Sequence, residues 1–154
     1  MARLTPNLCA QLGELALALD CSLVRIHSAD SAGLSQAFRR LVLWVSRGRA
    51  VALGNHIFLP TRSADDLPML AHELIHCVQY QTWGAPRYYA RGLREQARYL
   101  LHRVLGVGSS PYAYRFEEVK PFESYGMEQQ GQIVEDCFRR DGLARRISPY
   151  RPGG

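Results

Sequence analysis

His72, Glu73 and His76, in the segment AHELIHCVQYQTWG, are the residues of this chain whose types and spacing could do chemistry. Residues four apart share one face of a helix, so two imidazoles at that spacing can hold one zinc ion. The glutamate projects beside them, where it can take a proton from a water that the metal activates, so Glu73 is the expected general base. Three fixed positions recur by chance in about 2% of chains this long, so the flanking residues have to support the motif.

The flanking pattern is helical. Leu67, Leu70, Ala71, Leu74, Ile75 and Val78 recur at three- and four-residue spacing and predict an amphipathic helix over 66–81. Ser63 is a candidate N-cap, Asp65 and Asp66 bring negative charge to the positive end of the helix dipole, and Pro68 suits a first turn. Trp83, Gly84 and Pro86 end it. The competing reading is a core helix whose histidines fall by accident on its polar seam.

Catalytic zinc takes three protein ligands and keeps one position open. The metzincin arrangement needs a glycine three residues and a histidine six residues past the motif, and Gln79 and Thr82 stand there. A downstream carboxylate is the alternative, and the chain offers Glu95, Glu117, Glu118, Glu123, Glu128, Glu135 and Asp136. The segment FESYGMEQQGQIVEDCF separates them. On a helix over 127–138, Ile133, Val134, Cys137 and Phe138 form an apolar side, while Glu128, Gly131, Gln132 and Glu135 form a second stripe. A glycine such as Gly131 costs a helix roughly 1 kcal/mol relative to alanine, which points to a close approach by the zinc helix. Glu128 is the expected third ligand and Glu123 the runner-up. Gln132 or Glu135 is placed to bond a ligand imidazole from behind and fix its tautomer, although a solvated helix surface is the plainer reading of Glu135 and Asp136.

Elsewhere the sequence predicts a helix over 7–19, a strand over 23–27, a helix over 31–45, and two strands over 49–53 and 56–59 turned at Gly54-Asn55. A strand just before the zinc helix would let an extended substrate pair with its edge. A helix over 86–105, stopped by Gly106 and Gly108, should turn Tyr89, Leu93, Ala97, Leu100, Leu101 and Val104 inward. The loop over 108–125 carries Tyr112, Tyr114, Phe116, Phe122 and Tyr125 and is a candidate cleft wall. Tyr125 or Tyr114 is a candidate phenol for stabilising a tetrahedral oxyanion, against plain aromatic packing. His27, His56 and His102 read as surface or hydrogen-bonded structural groups, with His56 the one just upstream of the motif.

The expected fold class is therefore α+β: a small, mostly helical domain over 1–147 with a short antiparallel sheet and an HExxH helix, then a loose tail over 148–154. A chain of 154 residues, 47% hydrophobic, can bury one core and has no room for a separate substrate domain. No stretch reaches the roughly 18–20 apolar residues of a membrane span, and the apolar run over 12–19 lacks the basic start and cleavage pattern of a signal peptide. The expected location is cytoplasmic as synthesised, and export by a dedicated secretion machine would leave no such signal. Cys9, Cys21, Cys77 and Cys137 show no CxxC spacing, which argues against a cysteine zinc site, and a Cys9–Cys21 bridge has no support in the sequence. The net charge of +5 comes mainly from arginines at helix-surface spacing. With no nucleic-acid motif beside them, they read as a solvated basic face.

The stretches AVALGNHIFLP, LPMLAHELIHCVQYQTWG and YAYRFEEVKPFESYGMEQQGQIVEDCF resemble a bacterial group of zinc metallopeptidases. That group is related to the extracellular contractile-injection-system core domain and to peptidase domains fused to type VI secretion spike proteins, and the resemblance runs from near Val24 to Phe138. It implies a compact gluzincin-like fold with zinc on His72, His76 and Glu128 and with Glu73 catalytic. The usual gluzincin pattern has an aspartate four residues after the third ligand, where this chain has Gln132. The expected activity is hydrolysis of peptide bonds, or of another amide such as peptidoglycan, by an effector that meets a secretion apparatus or an inhibitor as partner. The alternative is a non-catalytic, zinc-stabilised adaptor or cargo module of such an apparatus. Glu73 favours the enzyme, because a purely structural site needs no general base.

Overall fold

A computed structural model describes residues 2–28, 34–61, 66–108, 110–115, 117 and 119–141. Strand β1 (Ala2–Arg3) leads into α1 (Pro6–Leu12), whose first turn is capped by the Thr5 hydroxyl accepting from the Leu8 N–H at 3.2 Å. The single helix expected over 7–19 is broken at Gly13, which takes φ 55° and ψ −127°, and only the four-residue α2 (Glu14–Leu17) follows. That backbone conformation interrupts the hydrogen-bond ladder and is open chiefly to glycine. Next come β2 (Arg25–His27), α3 (Leu34–Val45) and the hairpin of β3 (Val51–Leu53) and β4 (His56–Phe58).

The sheet has the order β1-β2-β4-β3, antiparallel in its two outer pairs and parallel between β2 and β4. The short antiparallel sheet expected from sequence is thus a mixed one. The chain travels through α3 and β3 before returning beside β2, a crossover long enough to set two strands parallel. Register places Ile26, Ile57 and Ala52 in one row, and all three are core residues. His27, Phe58 and Val51 make the next row, where Phe38 of α3 meets Phe58 edge-on at 5.4 Å. Alternate rows point to opposite faces, so the sheet buries one face toward the main core and the other under α3. Strands β1 and β3 are its edges.

Helix α4 (Leu67–Trp83) crosses the middle of the molecule, and every residue from Leu70 to Gln79 is buried. Its N-cap is Asp66, whose carboxylate accepts from the Met69 N–H at 3.1 Å; the candidate cap Ser63 and neighbouring Asp65 lie outside the described residues. A helix buried all round must satisfy any polar group on it from within the protein. Helix α6 (Met127–Asp141) packs along α4 in the most extensive helix contact of the fold, with Ile133, Val134 and Phe138 in the core.

Between them runs α5 (Ala85–Leu105), joined to α4 by Gly84 alone, which caps both helices with φ 75° and ψ 162°. The face expected to turn inward turns outward: Tyr89, Leu93, Ala97, Leu100, Leu101 and Val104 are exposed, and Tyr88 and Glu95 are buried instead. The cause is local to Tyr88, whose hydroxyl donates to the Ala52 carbonyl at 2.9 Å and fixes the rotation of the helix. The expected tail over 148–154 lies outside the described residues, and no described helix is long and apolar enough to cross a membrane. None of the four cysteines is in a disulfide, and Cys77 is buried.

His27 and His56 sit on adjacent parallel strands with Nε2 and Nδ1 3.0 Å apart, and His27 stacks on Phe58 at 4.4 Å. Burial, aided by the neighbouring His56, pulls His27 down from the ordinary 6.5 to about 4. The unfolded chain therefore binds this proton first as the pH falls. Its contribution to stability is complete above about 6.5, declines through the window and is gone below about 4. Urea unfolding of the wild type and His27→Gln across pH 7 to 4 should show the wild type losing stability relative to the variant in that window. Parallel pH profiles would refute the buried neutral imidazole.

Candidate metal centre

His72 and His76 lie one turn apart on the buried face of α4, with ring centroids 5.2 Å apart. Glu128, in the first turn of α6, places Oε2 at 3.7 Å from His72 Nε2 and 3.6 Å from His76 Nε2. These separations are too long for hydrogen bonds. They match the roughly 3.4 Å that separates ligand atoms around a tetrahedral ion bound at about 2.0–2.2 Å. The three donor atoms all lie within 4.8 Å of one another, and all three residues are buried. Glu123, the runner-up, is exposed on a 3-10 turn and takes no part in the cluster.

The far sides of both imidazoles are held. His72 Nδ1 bonds Glu135 Oε2 at 3.1 Å, and His76 Nδ1 bonds Gln79 Oε1 at 2.8 Å. A carboxylate and an amide oxygen only accept, so each Nδ1 carries a proton and Nε2 is the nitrogen turned toward Glu128. The solvated reading of Glu135 does not hold, because it is clamped between His72 and Arg139, whose Nη2 lies 2.8 Å from Oε1. Asp136 is likewise engaged, by Tyr114 Oη and Gln132 Nε2, so Gln132 serves Asp136 and not an imidazole. Gln79 was not foreseen in this role. Its amide nitrogen donates to the Met127 carbonyl at 3.1 Å and to Gln130 Oε1 at 2.9 Å, so it ties the metal helix to the start of α6. Its position one turn after His76 on the same buried face was the available signal.

Electrostatics follow from this packing. Burial opposes charge on His72, but the carboxylates of Glu128 and Glu135 overcome it and raise the imidazole to about 10. Burial also works to raise Glu128, and the imidazoles of His76 and His72 overcome it, holding the carboxyl well below the usual carboxylate range. Such a set of two neutral-capable imidazoles and one ionised carboxylate has the donor chemistry of a zinc site. Glu73 is different: burial pushes its carboxyl up, opposed by His76 and His72. Its Oε2 is the buried side-chain polar atom that has no hydrogen-bond partner among the described residues. A buried acceptor costs about 1–3 kcal/mol when left unmade. Beside an ion and its water that oxygen would be satisfied, so the residues present fit zinc.

The phenols are distributed otherwise than expected. Tyr125 is buried, and its hydroxyl accepts from the Glu117 N–H at 3.0 Å and lies 3.4 Å from the Arg115 carbonyl. The group expected to face an oxyanion thus holds the 115–117 main chain, and Tyr114 holds Asp136. Two phenols, Tyr88 and Tyr112, feel both Glu73 and Glu128; in Tyr112 burial first, then Glu128 and also Glu73, push the hydroxyl up to about 12. Arg49 Nη1 lies 3.4 Å from its hydroxyl and stands over Tyr99 at 5.6 Å. His56 pairs with His27 and His102 with the Gly108 carbonyl, both in structural hydrogen bonds.

A family model, the eCIS core domain, matches residues 6–84, which is 84 − 6 + 1 = 79 of 154 residues. The match takes in α1 to α4 with His72, Glu73 and His76 and stops before α5 and α6. The type VI secretion system spike protein VgrG2b of Pseudomonas aeruginosa is 29% identical over 143 residues, covering 82% of this chain. The chain spans only 12% of the length of that protein. No solved structure matches the chain.

Gly131 is where the two helices touch: a Cβ built there would meet His72 Nε2 at 2.7 Å and two ring carbons at 2.9 Å. Gly92, in α5, would meet nothing within 4 Å. Gly92→Ala should therefore raise stability by roughly 0.5–1 kcal/mol through helix propensity. Gly131→Ala should lower it by about 1–3 kcal/mol, because overpacking displaces the ring. Urea unfolding in chelator reads both signs, and equal stabilisation by the two substitutions would disprove the contact.

Proposed function

The chain belongs to the eCIS core domain family, and from that premise we propose that it is a zinc-dependent metallopeptidase with His72, His76 and Glu128 holding the metal. The observation that carries this reading is the convergence of those three buried donor atoms beside a general base whose Oε2 lacks a partner. Zinc bound there would supply a Lewis acid for the scissile carbonyl and make a coordinated water acidic near neutral pH.

Every other part of the task falls to side chains of the protein. Glu73 takes the proton of the attacking water on Oε2 and passes it to the leaving amine, and its burial gives it the proton affinity for both transfers. Glu135 and Gln79 keep the imidazoles in the tautomer that presents Nε2 inward. Tyr112 is a better-placed oxyanion donor than Tyr125, since it lies within electrostatic reach of Glu128 and Glu73 and its hydroxyl is not bound to main chain. Peptide is the expected substrate. Kinship to a spike protein supports delivery by a secretion apparatus, as an effector.

A second reading is a non-catalytic, zinc-stabilised adaptor of a secretion apparatus. Two observations favour it: the relative is itself a spike protein, and the family match ends before Glu128.

Zinc content by mass spectrometry, together with cleavage of a mixed peptide library, distinguishes them. The wild type should hold one zinc and cleave. Glu73→Gln should keep the metal and lose about 10²–10⁴-fold in rate, as expected for removal of a general base. Glu128→Ala should lose the metal, and Gln79→Ala or Glu135→Gln should weaken zinc binding about 10–100-fold. Zinc without cleavage in the wild type supports the adaptor, and a wild type that binds no zinc removes both readings.

A further inference from the structure

The outward face of α5 presents a second feature, independent of the metal centre. Its exposed apolar positions Leu93, Ala97, Leu100 and Val104 are spaced by four, three and four residues, and the leucines and valine are 73%, 55% and 73% exposed. The positions turned to the body, Tyr88, Glu95 and Tyr99, follow at seven and four residues. Two such series on opposite sides of one helix make α5 a sandwich filling, packed on one side and open on the other. The seven-residue repeat is the one that seats a neighbouring helix, with Leu93, Leu100 and Val104 as knobs and Ala97 leaving a shallow hole between them. Tyr89 and Leu101, 45% and 49% exposed, flank this stripe on either side.

Its border is charged in one sense. Helix α5 holds Arg87, Arg91, Arg94, Arg98 and Arg103 against a single Glu95, which is turned inward and paired with Arg98 at 3.4 Å. Arg87, Arg94 and Arg103 hold the flanking e and g positions, while Arg91 lies over Trp83 and Arg98 pairs with Glu95, so a second copy of this chain laid on the stripe would set three arginines against three and self-association is opposed. A helix flanked by glutamates would instead be attracted and held in register. We propose that the outward face of α5 is a docking seam for an acidic amphipathic helix of a partner protein. It would hold in both readings of the metal centre, for an enzyme tethered to a carrier and for an adaptor alike.

The test uses the full chain and a fluorescent synthetic helix with leucines at heptad a and d positions and glutamates at e and g. Binding by anisotropy should be saturable and weakened by salt, and a lysine-flanked version of the same peptide should bind at least tenfold more weakly. Leu93→Glu with Leu100→Glu should abolish binding while leaving the thermal midpoint of these exposed sites unchanged or raised. Arg94→Glu with Arg87→Glu should shift the preference toward the lysine-flanked peptide, a reversal that loss of fold does not produce. Indifference to all four substitutions, absence of binding to the acidic helix, dimerisation through Leu93 by sedimentation, or Leu93-dependent binding to phosphatidylglycerol vesicles in place of the peptide would each overturn the proposal.

Discussion

The close approach of α4 and α6 at Gly131 is the constraint on which the candidate centre depends. With no side chain at that position, the His72 ring lies against the α6 backbone. The same approach sets Glu128 in front of both imidazoles and Glu135 behind one of them, because these three positions of α6 follow one another at three- and four-residue spacing along a single stripe. A larger residue at the midpoint would push apart the two halves of the centre together. The loss of helix propensity at Gly131 is thus offset by geometry that no other residue permits.

Burying that much polarity in the middle of a small protein requires that each group answer to another. Gln79 shows how this is done, accepting from His76 while donating to the Met127 carbonyl and to Gln130. Each of its polar atoms has a partner of the complementary kind, so the network is satisfied and rigid. Glu73 stands apart from this pattern with one unmatched oxygen, and the contrast between a fully paired frame and one unpaired carboxylate is what gives the site its chemical character. One unsatisfied buried acceptor within a satisfied network is what marks a candidate functional site.

Much of this was legible in the chain. The spacing of His72, Glu73 and His76 is a property of helices, and the stripe of Glu128, Gly131 and Glu135 obeys the same rule, so their juxtaposition needed only the right pairing of two helices. What was hidden depended on rotation and on partners distant in sequence. The α5 segment is rich in tyrosine and leucine on adjacent faces, and a rotation of one residue, decided by the Tyr88 bond to Ala52, exchanges inside for outside. The break at Gly13 and the parallel pairing of β2 with β4 depend on main-chain geometry that side-chain periodicity does not encode. Tyr125 and Tyr112 are the same residue type in the same loop, and only three-dimensional placement tells the one bound to main chain from the one near the carboxylates.

The single-residue joint at Gly84 has a mechanical meaning. Helix α5 is 21 residues, about 31 Å, of stiff rod. At its near end it connects through one peptide unit to α4, the helix that carries both histidines. A rod of that length pivoting on so short a joint is a lever, and a pull on its far turn is delivered, with little slack to absorb it, to the end of the buried helix. Tension applied to α5 would reach the histidine helix through Gly84 and the sheet through the Tyr88 bond to Ala52, so both feel a pull on the same rod.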